Sequence, residues 1–192
     1  DIILSVVDNI NEGREPKVDT KYVDAMRLVL NDKSLDRAFT AEMLSLPSES
    51  VVGQQKLPSD VDGIHLARKS VIKTLALAFR ADLLKTYNEC KTREPYQYNP
   101  KEVGSRRLKN VALGYLMEIA DKDIIKLCSD QLLSAGNMTD EIASFTLLVN
   151  SKAECREESI EKFYTKWKHD PLVIDKWFSA QALSNRDDVL DQ

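Results

Sequence analysis

The groups best suited to metal or covalent chemistry in this sequence are two histidines, His65 and His169, and three cysteines, Cys90, Cys128 and Cys155. A zinc hydrolase needs two or three imidazole, thiolate or carboxylate ligands that converge, commonly with two histidines four residues apart on one helix face. Here the histidines lie in different halves of the chain, and no second His or Cys stands within two helical turns of His65. His65 therefore reads as a helix-surface or core-edge residue. His169 reads as a helix-end imidazole beside Asp170, where a positive charge gains from the helix dipole. A nucleophilic thiol needs a neighbouring base, and none of the three cysteines has a histidine near it in sequence. An odd number of widely spaced cysteines argues against a disulfide framework and for a reducing compartment.

Other chemistries fare no better. The glycines Gly13, Gly53, Gly63, Gly104, Gly114 and Gly136 are isolated, so no phosphate-cradling loop is built. The acidic pairs Glu157-Glu158 and Asp187-Asp188 read as solvated helix-start charges. The run Arg106-Arg107-Leu108-Lys109 falls inside an amphipathic helix and reads as its polar face. Asn137-Met138-Thr139-Asp140 reads as a polar turn that caps a helix. Trp167 and Trp177, with Phe163 and Phe178 beside them, form a dense aromatic cluster that either buries a joint between two helices or faces a partner. No catalytic, cofactor-binding or metal-binding residue is assigned.

The elements that would position these groups are helices. Apolar residues make up 43% of the chain and charged residues 30%, while only 6 Gly and 6 Pro leave few places for turns. Residues 1–11 carry Ile2, Val6 and Ile10 at helical spacing, followed by a break from Gly13 to Pro16. Asp19 or Thr20 caps a second helix with Val23, Met26 and Leu30 inward, ended at Asn31 and Asp32. Ser34 caps a third with Leu35, Phe39, Met43 and Leu46 inward, stopped by Pro47. Residues 48–58 read as a connection. One long helix is predicted from Ser59 to Glu89, with Ile64, Val71, Leu75, Ala78, Phe79 and Leu83 as its stripe and Gly63 weakening its first turns.

Residues 92–99 read as an extended loop whose Tyr96 and Tyr98 lie against a neighbour. Asn99-Pro100 opens a helix burying Val103, Leu108, Val111, Ala112, Tyr115 and Ile119. Asp121 or Asp123 starts the next, with Ile124, Leu127, Cys128 and Leu132 inward and Gly136 as its left-handed end. Thr139 caps a helix carrying Ile142, Phe145 and Val149, and 155–167 continues through Ile160, Phe163 and Trp167. Asp170-Pro171 starts a last helix with Val173, Trp177 and Phe178. Such helices with short connections predict an all-α fold of stacked antiparallel hairpins, an irregular armadillo- or HEAT-like superhelical bundle in one domain, 1–192.

Charge and hydropathy narrow the function classes. Asp and Glu exceed Lys and Arg by 31 to 27, a net charge of −4 that offers phosphate backbones and anionic membranes no attraction. No apolar run approaches a membrane span, and Ile2-Ile3-Leu4 is too short for a signal peptide core. The chain begins at Asp1 and stops at Val189-Leu190-Asp191-Gln192, and both ends read as cut from something longer.

Four strings, in order, carry a resemblance: Ala41-Glu42-Met43-Leu44-Ser45-Leu46-Pro47-Ser48-Glu49, Arg107-Leu108-Lys109-Asn110, Asn137-Met138-Thr139-Asp140 and His169-Asp170-Pro171-Leu172-Val173-Ile174-Asp175-Lys176-Trp177-Phe178. Together they resemble the C-terminal region of the aminopeptidase N, or alanyl aminopeptidase, family of zinc metallopeptidases, in its bacterial, plant and protozoan branch. The resemblance implies a parent hydrolase that removes single residues from peptide N-termini with one zinc ion, held by an H-E-x-x-H motif and a distant Glu. None of these is in this sequence. It further implies a truncated part of a C-terminal domain that is inert alone, packs over the catalytic domain of the same polypeptide, encloses the active-site cavity and restricts peptide access. The expected location is cytoplasmic or otherwise soluble intracellular, with neither nucleic acid nor membrane as partner. The alternatives are an independent helical-repeat scaffold for a partner protein, docking through the Trp167 to Phe178 cluster, and a nucleic-acid-binding helical repeat, which the acidic charge disfavours.

Overall fold

The computed structural model describes residues 2–91 and 96–186. Among them are eleven helices and no strand. They group into two compact units, Asp1–Lys91 with Asn99–Ile119, and Thr92–Tyr98 with Ala120–Gln192.

The first unit holds α1 (Ile2–Asn11), α2 (Thr20–Asn31), α3 (Arg37–Leu44), α4 (Glu49–Gly53), α5 (Val61–Ala78), α6 (Arg80–Glu89) and α7 (Pro100–Met117). Helix α7 packs against α3, α5 and α6, while α1 and α4 pack on α5. Leu44, Leu75, Phe79, Leu83, Leu113 and Leu116 are fully buried at its centre, each contributing about 1.5–3 kcal/mol through the apolar surface withdrawn from water. Polar ties fix the register. Tyr115 Oη donates to the Leu44 carbonyl at 2.6 Å, and Arg37 Nη1 donates to Ser105 Oγ at 2.8 Å.

The second unit holds α8 (Lys122–Ser134), α9 (Met138–Val149), α10 (Arg156–Trp167) and α11 (Pro171–Ala182). Helix α9 is its hub and touches the other three. Four of the eleven helices start where the sequence places a capping side chain. Asp19, Asn99, Asp121 and Asp170 each accept a first-turn backbone N–H, which satisfies donors that a helix start otherwise leaves orphaned.

Several expectations are corrected. Helix α3 is capped by Asp36, not Ser34, and its buried side carries Thr40, Ala41 and Leu44, leaving Phe39 and Met43 exposed. The 48–58 connection contains the short α4, capped by Ser48. The long helix from Ser59 to Glu89 is two helices that break at Phe79. Arg27 Nη2 donates to the Ala78 carbonyl at 3.0 Å, and its guanidinium lies 5.2 Å over the Phe79 ring. That carbonyl, freed at the break, is thus satisfied from α2, and Ala78 itself is exposed.

Val103 is exposed, and Val111 and Ile119 are only half-buried, because α7 has helices on several sides and buries a different set. Gly136 does not end α8 in a left-handed turn, since Gly13 is the one glycine with positive φ among the described residues. Asn137, not Thr139, caps α9. Tyr98, 86% exposed, lies against no neighbour. Asp187-Asp188 and the part of the predicted loop at 92–95 fall outside the described residues.

Candidate functional site

Glu141 stands in the first turn of α9, one helical turn before Phe145, on the side of the helix that faces the core. A carboxylate there must be paired, because an isolated charge is too costly to take out of water. Its partners come from the last turn of α10. Lys166 Nζ and Trp167 Nε1 both donate to Glu141 Oε1, each at 2.8 Å, and the Lys166 ammonium lies 5.0 Å from the Trp167 ring centroid. A carboxylate and an aromatic face thus hold one cation between them.

The aromatic residues expected as one cluster separate into three settings. Phe163 turns inward and stacks on Phe145 with centroids 4.1 Å apart. Trp167 serves Glu141. Trp177 donates its Nε1–H to the Ile160 carbonyl at 3.0 Å, packs against Tyr164 at 5.2 Å and meets the edge of Phe178 at 4.9 Å. Trp177 and Tyr164 form one wall of a shallow groove of about 530 Å³, floored by Ile160 and rimmed by Glu157, Glu158 and Glu161. The rim is acidic and the floor is apolar.

The remaining singled-out residues lie elsewhere. His65 Nδ1 is 2.9 Å from Glu49 Oε1, tying α5 to α4. His169 is exposed in the turn after α10. Cys90 and Cys128 are buried and Cys155 is half-buried, all as free thiols. Burial pushes both Cys90 and Cys128 up, Cys128 to about 12, the reverse of what a reactive thiolate needs. Among the described residues no group of three His, Cys, Asp or Glu side chains is placed to hold a metal ion, so the described side chains do not fit a zinc centre.

The basic run Arg106 to Lys109 is not a solvated polar face. Arg106 is 3% exposed and Lys109 6% exposed, and of the run's three cations Arg107 alone reaches solvent, where it pairs with Glu42. Arg106 lies 3.8 Å from Glu102. Arg106, Lys109, Leu113 and Leu116 recur at helical spacing on one side of α7, so the aliphatic stems of the two cations pack as part of that side. That spacing was present in the sequence as a signal of burial. The same spacing marks Glu141, Phe145 and Leu148 on α9, which identifies Glu141 as a buried carboxylate.

Packed helices with no strand among the described residues are the kind of fold to which armadillo-type repeat domains belong. The chain belongs to the family described as a domain of unknown function (DUF3458_C) with ARM repeats, whose profile matches residues 1–192. It is 33% identical over 184 residues to aminopeptidase N of Escherichia coli strain K12, a match covering 94% of this chain and 21% of that protein. Aminopeptidase N of Haemophilus influenzae is 29% identical over 185 residues, covering 96% of this chain and 21% of the relative. The chain thus spans about a fifth of the length of the relatives it matches. The crystal structure of Legionella pneumophila aminopeptidase A in complex with aspartic acid superimposes with a TM-score of 0.84 at 24% identity, over 98% of this chain and 23% of that one, a likeness of fold.

Proposed function

We propose that residues 1–192 are one non-catalytic helical domain of a longer aminopeptidase, and that they help enclose the cavity in which the catalytic domain of the same polypeptide removes N-terminal residues from peptides. The observation that carries this reading is a pair of coverages. The match to aminopeptidase N takes in 94% of this chain but 21% of the relative, which leaves ample sequence elsewhere for catalysis. A single family profile running through both units supports treating them as one domain.

Zinc belongs to this reading as the parent's cofactor, held by residues outside this segment. A cytoplasmic setting fits the three free thiols. Among the described residues no helix is long and apolar enough to cross a membrane. A wall of stacked helices selects by size, because a short or unfolded N-terminus threads a restricted entrance and a folded one does not.

The test uses the full-length polypeptide. It should hydrolyse an aminoacyl reporter, lose turnover to a metal chelator and regain it with zinc, while residues 1–192 alone give none. Enclosure is tested by comparing kcat/KM on a dipeptide reporter with kcat/KM on a long unfolded peptide, in the wild type and in Phe145→Ala, which loosens α9 and α10. A leakier wall raises the long-peptide rate relative to the dipeptide rate. An unchanged ratio in a demonstrably loosened variant would rule out the enclosing role.

A further inference from the structure

We propose that the groove along α10 and α11 binds a basic peptide, holding an arginine or lysine side chain against Trp177 and Tyr164 with Glu161 as its counter-ion. This assignment stands on the groove alone and needs no activity of the parent protein.

The chemistry already operates within the same helix. Lys166 is held by a carboxylate oxygen of Glu141 at 2.8 Å and by the face of Trp167 at 5.0 Å. The groove offers the same pair of partners, an indole and a glutamate, and among the described residues no cation pairs with that glutamate. Trp177 has its N–H engaged by the Ile160 carbonyl, which fixes a ring that lines the groove together with Tyr164, and an aromatic wall attracts a cation.

The rim carboxylates differ in how they are balanced. Glu157 pairs with Arg156 and Glu158 with Lys162. Glu161 makes no ion pair among the described residues, although it stands one turn from Tyr164 on the same face of α10. Among the described residues, one carboxylate of the rim therefore lacks a counter-ion beside an aromatic wall.

Charge selects the occupant. An anionic or neutral peptide would desolvate Glu161 without compensation, which is unfavourable. A guanidinium or ammonium supplies the missing charge, and its methylene stem covers the Ile160 floor. The groove is shallow and open to solvent, so the backbone flanking the bound side chain stays within reach of water.

The experiment measures fluorescence anisotropy of a fluorescein-labelled peptide of alternating arginine and glycine, acetylated and amidated so that no peptidase can trim it, titrated with the full-length protein. A control peptide carries glutamine for every arginine. The arginine peptide should bind and the glutamine peptide should not, with affinity falling as salt is raised. Glu161→Gln should weaken binding about tenfold, as loss of one charge-assisted contact does, and Glu161→Lys should abolish it. Trp177→Leu should weaken it as well, but Trp177 also bonds Ile160 and its loss can loosen the unit. Exposed Glu161 carries no such ambiguity. Equal affinity for the two peptides, indifference to Glu161→Lys, or absence of binding to the arginine peptide would each overturn the assignment.

Discussion

Trp167 Nε1 donates to Glu141 Oε1 at 2.8 Å, and this bond joins the end of α10 to the start of α9. The same oxygen receives Lys166 Nζ. Glu141 is buried while the Lys166 side chain is about half exposed, so the carboxylate depends on both donors and the lysine depends much less on it. Removing the carboxylate leaves the part-buried indole N–H of Trp167 without its acceptor, while the half-exposed ammonium of Lys166 turns to water. Glu141→Ala should lower unfolding stability by about 1–3 kcal/mol, and Glu141→Gln, which keeps an acceptor but not the charge, by about 1 kcal/mol. Lys166→Ala strands a buried carboxylate on one donor and should cost more than Glu141→Gln. Urea titration of the three variants checks the order, and a Lys166→Ala cost below that of Glu141→Gln contradicts this account of the carboxylate.

Two glycines of α7 should respond in opposite directions to the same substitution. A Cβ at Gly104 would lie 3.0 Å from the backbone nitrogen of Ala38 and 3.4 Å from its Cβ, whereas a Cβ at Gly114 meets nothing within 4 Å. Alanine improves an unobstructed helix interior by about 1 kcal/mol. Gly114→Ala should therefore stabilise by about that amount. Gly104→Ala should destabilise by about 1–2 kcal/mol, because α3 must retreat from α7. Thermal melts of the two variants should shift to opposite sides of the wild type.

The helices were legible wherever local chemistry defines them. Asn99-Pro100 and Asp170-Pro171 announce α7 and α11, because a capping carbonyl or carboxylate followed by proline has few other uses. The break at Phe79 was not legible. No Gly or Pro marks it, and Arg27, which satisfies the freed Ala78 carbonyl, lies 51 positions away in sequence. The buried faces of α3 and α7 were misread for a related reason. A helix with several neighbours buries more than one stripe, so Thr40 and Lys109 go inside while Phe39 and Val103 stay out. The groove left less trace still, since Trp177 joins Glu161 and Tyr164 only once α11 folds back on α10.

Ala120 follows α7 with φ of 51°, the sole non-glycine with positive φ among the described residues. An L-residue held there costs about 1–2 kcal/mol, and glycine does not pay it. Glycine also has more conformational freedom to lose on folding, worth up to about 1 kcal/mol in the opposite sense. The balance favours Ala120→Gly by about 0.5–1 kcal/mol. Differential scanning calorimetry should show a melting temperature raised by a few degrees. A lowered one would mean that the alanine methyl makes packing contacts that outweigh the backbone cost.

Cys128 links burial in the second unit to alkaline sensitivity. Its thiol is fully buried on α8, with Sγ 3.5 Å from the Ser144 carbonyl, and burial, reinforced by nearby Cys155, lifts it from 9.0 to about 12. In the unfolded chain the thiol ionises at its ordinary value, so between about pH 9 and 12 the native state keeps a proton that the unfolded state has released. Stability from this group is thus complete below pH 9 and declines as pH rises through that window, by at most about 1.4 kcal/mol per pH unit. Cys90 and Tyr115, also raised by burial, add losses of the same sign, so the contribution of Cys128 is read as a difference between proteins. Urea midpoints at pH 8 and pH 10.5 should fall less in Cys128→Ala than in wild type. At pH 8 an aromatic disulfide reagent should label the half-buried Cys155 in the native protein and reach Cys128 only after unfolding. Rapid native labelling of Cys128, or an equal alkaline loss in Cys128→Ala, would show that the thiol is in contact with water.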